Sequence, residues 1–373
     1  MKMIIVYEPW AHEWMHYQFN KNFLEVLLLT YKGERISYYG SLDQIVLLEK
    51  EIKNENLEFI PIYIPDYSKD NKVCILLNEY RNLRKFSKLK IDGLFITQTL
   101  PHTMYFAKKL FRTQCVFFVM HAILDSFNRL SKFYKIDYYT VFAFKYRLHC
   151  ENFKYIVLGD SIKHNLINKI GGFKDSIISI DHPYTVTESL ADDRLINKHE
   201  YLIGGIGVAT YAKNSDNIFD LEQFVLAQGL FNIHLFHIGK FECQIPNNTL
   251  VTLNVTNSLI VEDEFIKQTR LLDYVVFFYP ESSYKLGASG AIFDAIMNEK
   301  PILAIRNDFF SYIFKKSGNI GYLFDCFEDL AYCVKQISFG AKKEEYQLQV
   351  TNLRNAKYLF SPLVVAENFK RQL

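Results

Sequence analysis

The chain has 373 residues, 49% of them hydrophobic and 23% charged, with a net charge of +2. This composition excludes disorder, and the length fits two domains. A charge so near zero argues against a dedicated nucleic-acid binder, which carries a strong basic excess.

The 32 Phe and 25 Tyr, against 2 Trp, predict a ring-rich core and ring-rich patches of surface. No run approaches the ~18 apolar residues of a membrane span. The apolar opening stretch is stopped by Glu8 and Pro9, too early for a signal peptide. Cys74, Cys115, Cys150, Cys243, Cys326 and Cys333 are scattered without a Cys-x-x-Cys pair. They read as reduced, buried cysteines of a cytoplasmic protein, so neither zinc nor a disulfide framework is expected.

Short β-rich apolar runs alternate with amphipathic stretches. Residues 3–7 predict a strand and 17–31 a helix with Phe19, Phe23, Val26 and Leu27 on one stripe. Strands are predicted at 59–64 and 93–97, and Pro101 suits the start of a helix through 105–111. Runs 115–120 and 155–158 read as buried strands, with Asp160 and Ser161 capping the helix that follows through Ile167. After the His182-Pro183-Tyr184 turn, the polar stretch 185–200 shows no apolar period and reads as a linker.

The second half continues the alternation, with strand 201–208, helix 218–227, strand 233–238, helix 265–272 and strand 274–279. A Gly/Ser turn, a helix at 290–297, a strand at 302–305 and helices to the end complete it, with a break at Pro362. Such repetition predicts an α/β fold of two Rossmann-like domains, each a parallel sheet covered on both faces, facing each other across a cleft. The expected boundaries are 1–185, a linker at 186–200, 201–352, and a tail at 353–373.

The segment Tyr279-Pro280-Glu281-Ser282-Ser283-Tyr284-Lys285-Leu286-Gly287-Ala288-Ser289-Gly290 leaves a predicted strand and enters a helix. Open α/β sheets bind ligands at that place. Gly287, Ser289 and Gly290 let an anion approach the backbone, the helix start favours negative charge, and Lys285 adds a full positive charge. A diphosphate is the expected guest; a tight turn packing small residues is the plain alternative.

Asp294-Ala295-Ile296-Met297-Asn298-Glu299-Lys300-Pro301 followed by Ile302-Leu303-Ala304 resembles the nucleotide-sugar segment of GT-B glycosyltransferases. The likeness is to the retaining, glycogen-synthase/mannosyltransferase-like branch, whose Glu-x7-Glu pattern is degenerate here. Asp294 keeps the second carboxylate, which the resemblance assigns to ribose; Leu286 stands at the first. Gly207-Val208-Ala209-Thr210-Tyr211-Ala212-Lys213-Asn214 resembles that family's Gly-x-x-Arg-x-x-Lys-Gly loop. Lys213 takes the diphosphate-binding place and Thr210 stands where the family has Arg. Fixed cations there stabilise a leaving diphosphate as its charge grows.

His121 closes a strand where the resemblance implies a His near the donor sugar, able to bond a hydroxyl or act as general base, with Asp125 as a second base candidate. Glu8, Trp10 and His12 follow the first strand, where the family faces its acceptor: rings stack on sugars and carboxylates accept hydroxyls. His12 and His16 have helical metal spacing, but no third ligand follows and no Asp-x-Asp motif occurs, so no metal is expected.

Aromatic and basic residues interleave over 127–147, including Arg129, Lys132, Phe142, Phe144, Lys145 and Arg147. This reads either as a bilayer-docking patch or as core helices with snorkelling lysines. The resemblance implies a tail helix crossing back to the N-terminal domain and a metal-independent hexosyltransferase. A nucleotide-diphospho-sugar would be its co-substrate, with no other cofactor and no nucleic-acid partner. The acceptor would be a glycan or lipid-linked glycan in bacterial surface polysaccharide synthesis, at the inner face of the membrane. A nucleotide-sugar epimerase of the same fold and a catalytically silent glycan-binding subunit remain as alternatives.

Overall fold

The computed structural model describes residues 2–121, 123–127, 135–171, 173–189, 199–254 and 262–373. The chain divides into two compact units. One comprises Met1–Thr185, Leu286–Ala288 and Phe360–Leu373; the other comprises Val186–Lys285 and Ser289–Leu359.

The first unit holds a seven-stranded sheet in the order β3 (Leu57–Pro61), β2 (Arg35–Gly40), β1 (Met3–Tyr7), β4 (Gly93–Ile96), β5 (Cys115–Val119), β6 (Phe153–Leu158), β7 (Ile177–Ile180). All its pairings are parallel. Its crossovers are α1 (Tyr17–Thr30), α2 (Leu42–Glu51), α3 (Lys72–Phe86), α4 (Pro101–Leu110), α5 (Lys135–Lys145) and α6 (Asp160–Ile170). Because both faces are covered, the central strands are apolar throughout: Ile4 to Tyr7, Leu94 to Ile96 and Val116 to Val119 are all buried.

The second unit holds a six-stranded parallel sheet in the order β10 (Thr252–Asn254), β9 (Ile233–Ile238), β8 (Tyr201–Ile206), β11 (Tyr274–Phe277), β12 (Ile302–Ile305), β13 (Gly321–Phe324). Its helices are α7 (Asn217–Ala227), α8 (Glu262–Leu271), α9 (Gly290–Met297), α10 (Asp308–Ser317), α11 (Phe327–Ser338) and α12 (Lys343–Leu359). The last helix, α13 (Pro362–Lys370), packs on α1 and β7 in the first unit, and Gln372 bonds the backbone of Ser179 on both its N–H and its carbonyl. Ser361 caps α13 and Pro362 opens it, which explains the break after α12.

In both sheets the chain lays strands outward on one side of its first strand, then returns to the other side. The strand order therefore reverses between β1 and β4, and again between β8 and β11.

Several expectations need correcting. The strand expected at 59–64 is Leu57–Pro61, because its register follows β2 and Pro61 is tolerated only at a sheet edge. Asp160 does not cap α6; Gly159, at φ 137, makes the turn and Asp160 already lies in the helix. "Helices to the end" misses β13, which reaches β12 because a Cβ on Gly321 would lie 2.1 Å from the Ile302 carbonyl oxygen. Cys74 and Cys326 are exposed rather than buried. Among the described residues, no helix is long and apolar enough to cross a membrane.

The segment Asn298-Glu299-Lys300-Pro301 is a helix-to-strand turn with its charges satisfied internally. Glu299 adopts a left-handed φ of 56° and is held by Arg354 Nε at 2.9 Å and Lys357 Nζ at 2.6 Å. Lys357 is 1% exposed and also donates to the Thr187 carbonyl. Removing one partner of such a buried pair costs about 3–5 kcal/mol.

Gly239, at φ 127, lets β9 close on the loop after β8, since a Cβ there would lie 2.2 Å from the Gly207 carbonyl oxygen. Gly239→Ala is expected to destabilise the protein by about 3 kcal/mol or more, through backbone strain plus the clash. Urea unfolding with an unchanged midpoint would contradict this.

Candidate functional site

In the second unit, the connections leaving β8 and β11 at their carboxyl ends bring Lys213, Tyr279 and the start of α9 near one another. The Gly207 carbonyl accepts from His237 Nε2 at 2.9 Å, fixing the loop as it leaves β8. Burial pushes His237 down to about 4, so the ring is neutral and acts as a tie rather than a charge. Lys213 follows on a short turn; its Nζ donates to the Val208 carbonyl at 2.7 Å and lies 5.6 Å from the centroid of the Tyr279 ring. Burial lowers the Lys213 pKa, so a nearby anion would strengthen its charged form.

Tyr279 ends the buried run of β11. Its hydroxyl is held protonated by burial, with Ser289 in hydrogen-bond contact. Ser289 is the N-cap of α9, yet its side chain makes no capping bond, and no acid lies in the first turn. The helix start therefore presents a positive dipole end without a carboxylate of its own. A Cβ on Gly207 would stand 3.7 Å from Ala291, which places the loop after β8 against that first turn. Gly205, Val208, Ser215, His237 and Tyr279 line a small cavity there.

Thr210, Lys285, Gly290 and Asp294 are half-buried, while Ser289 and Gly287 are buried. Asp294 is close enough to raise the Tyr279 hydroxyl further. Leu286 is 2% exposed, an apolar packing residue.

The first unit corrects one expectation. Glu8 does not face outward: it is fully buried, and its oxygens accept from the Trp10 and Ala11 amides, Asn20 Nδ2 and Thr97 Oγ1. It is a hub tying the end of β1 to α1 and to the end of β4. His12 turns to Asp43, with Nδ1 3.1 Å from Oδ2. Trp10 does remain half-exposed, beside His16 and Tyr67. The loop is strained, with Glu13 at φ 48 and His16 at φ 53.

His121 follows β5 as expected and stacks on Phe19, with ring centroids 4.8 Å apart. His16 and His182 meet it edge-on at 4.7 and 5.7 Å. Burial and two neighbouring imidazoles push His121 well below the usual histidine range, and no hydrogen bond reaches its Nδ1. A ring so averse to charge is a weak base; it offers hydrogen bonds. Among the described residues, no group of three or more His, Cys, Asp or Glu is placed to hold a metal ion. The Asp125 side chain lies outside the described residues.

Part of the 127–147 stretch is core. Phe144 is fully buried, and Arg147 donates to the Lys108 and Phe111 carbonyls. Lys108, buried beneath, donates to the Ala143 and Phe144 carbonyls, and burial lowers it to about 7. Phe142 is exposed, with Tyr105 and Tyr146 beside it. Residues 128–134 lie outside the described part.

Sequence reasoning missed His182, Tyr67, His237 and the Glu8 hub. His182 ends β7 on the same sheet edge as His121, so recognising that strand would have exposed it. The hub carries no local signal, since its partners come from three separate elements.

No family model and no curated protein matches the chain. Solved structures do. Anabaena HepE in complex with UDP-glucose aligns over 99% of this chain and 98% of its own, at 12% identity and TM-score 0.64. A glycosyltransferase from Rickettsia africae aligns over 98% and 96%, at 14% identity and TM-score 0.65. WaaG, a glycosyltransferase involved in lipopolysaccharide biosynthesis, aligns over 98% of both chains, at 12% identity and TM-score 0.58. The likeness is one of fold: the chain has the GT-B fold.

The histidine cluster sets an acid limit on stability. His182, 4% exposed, is lowered from 6.5 to about 4, and His16 and His121 are lowered in the same sense. The folded state then binds fewer protons than the unfolded chain, so stability is complete above about pH 6.5 and falls as pH drops toward 4. His182 alone should account for about 3 kcal/mol of that loss. Urea unfolding at pH 6.5 and 4.5 should show the drop, and His182→Gln should flatten it; an unchanged slope would exclude this origin.

Proposed function

We propose that the chain is a glycosyltransferase that moves a sugar from a nucleotide-diphospho-sugar to a glycan or lipid-linked glycan acceptor. One observation carries the reading. A lysine poised over Tyr279 stands beside a helix start with no acid of its own, at the strand-order reversal of a chain with the GT-B fold.

Lys213 and Lys285 bind the diphosphate, with the backbone of Gly287, Ser289 and Gly290 completing the cradle and Thr210 bordering it. Each cation gains as the glycosidic bond breaks and charge collects on the leaving group, so the site favours the transition state over the bound substrate. Asp294 takes the ribose hydroxyls. His121, kept neutral by its surroundings, hydrogen-bonds the donor sugar instead of serving as a strong base. HepE is seen with UDP-glucose and WaaG acts in lipopolysaccharide biosynthesis, which makes UDP-glucose the first donor to try and a surface polysaccharide the setting to test. A lipid-linked acceptor would suit the exposed Phe142 with Tyr146 and Lys145 as a peripheral membrane contact.

A second reading is a catalytically silent subunit that binds nucleotide or glycan without transfer. The apolar, buried Leu286 at a position that touches the donor sugar in the resembling family favours it.

Calorimetry with UDP tests the cradle. The double variant Lys213→Ala, Lys285→Ala should weaken UDP binding by about 10- to 100-fold, the range expected for charge-assisted bonds. Asp294→Asn should weaken UDP but leave inorganic pyrophosphate unaffected. Wild-type affinity in the double variant would refute the cradle, and equal loss for pyrophosphate would refute the ribose role.

A further inference from the structure

Lys213 and the start of α9 follow the carboxyl ends of β8 and β11. At the amino end of the same sheet, on its outer edge, β10 is too short to cover β9. Among the described residues it pairs with Phe236, His237 and Ile238, and the first half of β9 has no strand neighbour on that side. The second half of α7, the turn after it and the chain entering β10 border the gap, and a cavity of about 270 Å³ remains between them.

Its walls are apolar. Val225, Leu230, Ile233, Leu235 and Val251 are buried members of the unit's hydrophobic core, so the cavity is a gap in that core. At its mouth stand Leu226, Phe231 and Leu250, with Phe231 83% and Leu250 71% exposed. Single exposed apolar residues are ordinary, but three beside an apolar cavity make a continuous path inward.

The polar groups define what the cavity refuses. Glu222 lines it from α7, and its buried carboxylate accepts from Thr249 Oγ1 at 2.8 Å and from the Leu250 amide. That carboxylate ties the chain before β10 to the helix and repels an anionic guest. No lysine or arginine is among the described lining residues. Water is a poor occupant as well, because a buried water needs about two to four polar partners. The other polar lining residues are His234 and Thr252, both open to solvent in part. His234 Nε2 makes no hydrogen bond, although Glu200 Oε2 lies 3.7 Å away.

Size narrows the guest. An apolar cavity of roughly 150 Å³ takes one benzene ring. A space of about 270 Å³ is therefore more than one apolar side chain of a partner protein would fill. A methylene takes up nearly the liquid volume of a water, about 30 Å³, so an unbranched chain of roughly eight carbons matches the cavity.

We propose that this cavity binds the alkyl tail of a free, uncharged, single-chain amphiphile, with its hydroxyl at the mouth beside His234 and Thr252. The tail replaces packing contacts that the lining side chains lack. The site shares no residue with the donor cradle, so it stands whether or not the chain transfers a sugar.

Methyl NMR on the full chain, labelled at Ile, Leu and Val, tests the site with the primary alcohols from 1-butanol to 1-decanol. Shifts should be confined to the methyl groups of the lining residues and their neighbours. Affinity should rise about fourfold per methylene up to octanol and level off beyond it. Octanoate should bind several-fold more weakly than octanol. Val225→Phe puts a ring into the cavity and should end the rise at shorter alcohols. Leu226→Glu charges the exposed mouth, should weaken octanol at least tenfold, and serves if Val225→Phe fails to fold. Both variants should keep wild-type affinity for UDP. Silence from every alcohol, shifts scattered over the whole chain, octanoate binding as tightly as octanol, or wild-type octanol binding by both variants overturns the proposal. So does a dimer, seen by sedimentation, that binds no alcohol and that Leu226→Glu dissociates, since a second copy would then fill the cavity.

Discussion

Where β1 lies beside β4, and again where β8 lies beside β11, neighbouring parallel strands send their connections to opposite sides of the sheet. The backbone must part there, and the polar groups so uncovered need partners from elsewhere in the chain. The two units meet this need differently. In the second, a backbone carbonyl takes the His237 imidazole, and Lys213 rests on the Val208 carbonyl and the Tyr279 ring. In the first, buried carboxylates collect the loose donors, Glu8 from the end of β1 and Glu79 from the start of α4.

Buried carboxylates are costly unless every oxygen is matched. Glu8 takes four hydrogen bonds from four residues, Glu79 takes three, and Glu299 pairs with Arg354 and Lys357. Each joins elements far apart in sequence, so each fixes a loop that local propensity leaves undetermined. The left-handed residues Glu13, His16 and Glu299 lie in or beside these joints. Strain of that kind persists only where the surroundings over-determine the backbone.

The same logic explains what the sequence disclosed. Runs such as Leu94–Ile96, Val116–Val119 and Tyr274–Phe277 are apolar because they are buried on both faces, so burial pattern and element coincide. β2 escapes a reading of the sequence because its Ser and Tyr residues look polar until Tyr38 is seen donating to Gln44. Lys285, Gly287, Ser289 and Gly290 lie in one compact segment between a strand and a helix, which is what marks them, whereas Lys213 and Thr210 stand out only through the resemblance. Glu8 is singled out for the wrong reason: a carboxylate after a strand reads as a ligand contact until the donors from Asn20 and Thr97 arrive in three dimensions. The Glu79–His102 pair joins residues of two helices with no shared motif, and spacing has no means of finding it.

Charge then separates the two sheet edges. In the second unit, a lysine whose charge is weakened by burial stands beside an acid-free helix start, an arrangement that gains most when an anion arrives. The first unit sets two buried carboxylates and three histidines biased toward neutrality around half-exposed rings. Added negative charge would be repelled there. The first unit's edge therefore disfavours added negative charge and the second unit's favours it. The contrast follows from where each sheet reverses its strand order and from which residues satisfy the groups that the reversal uncovers.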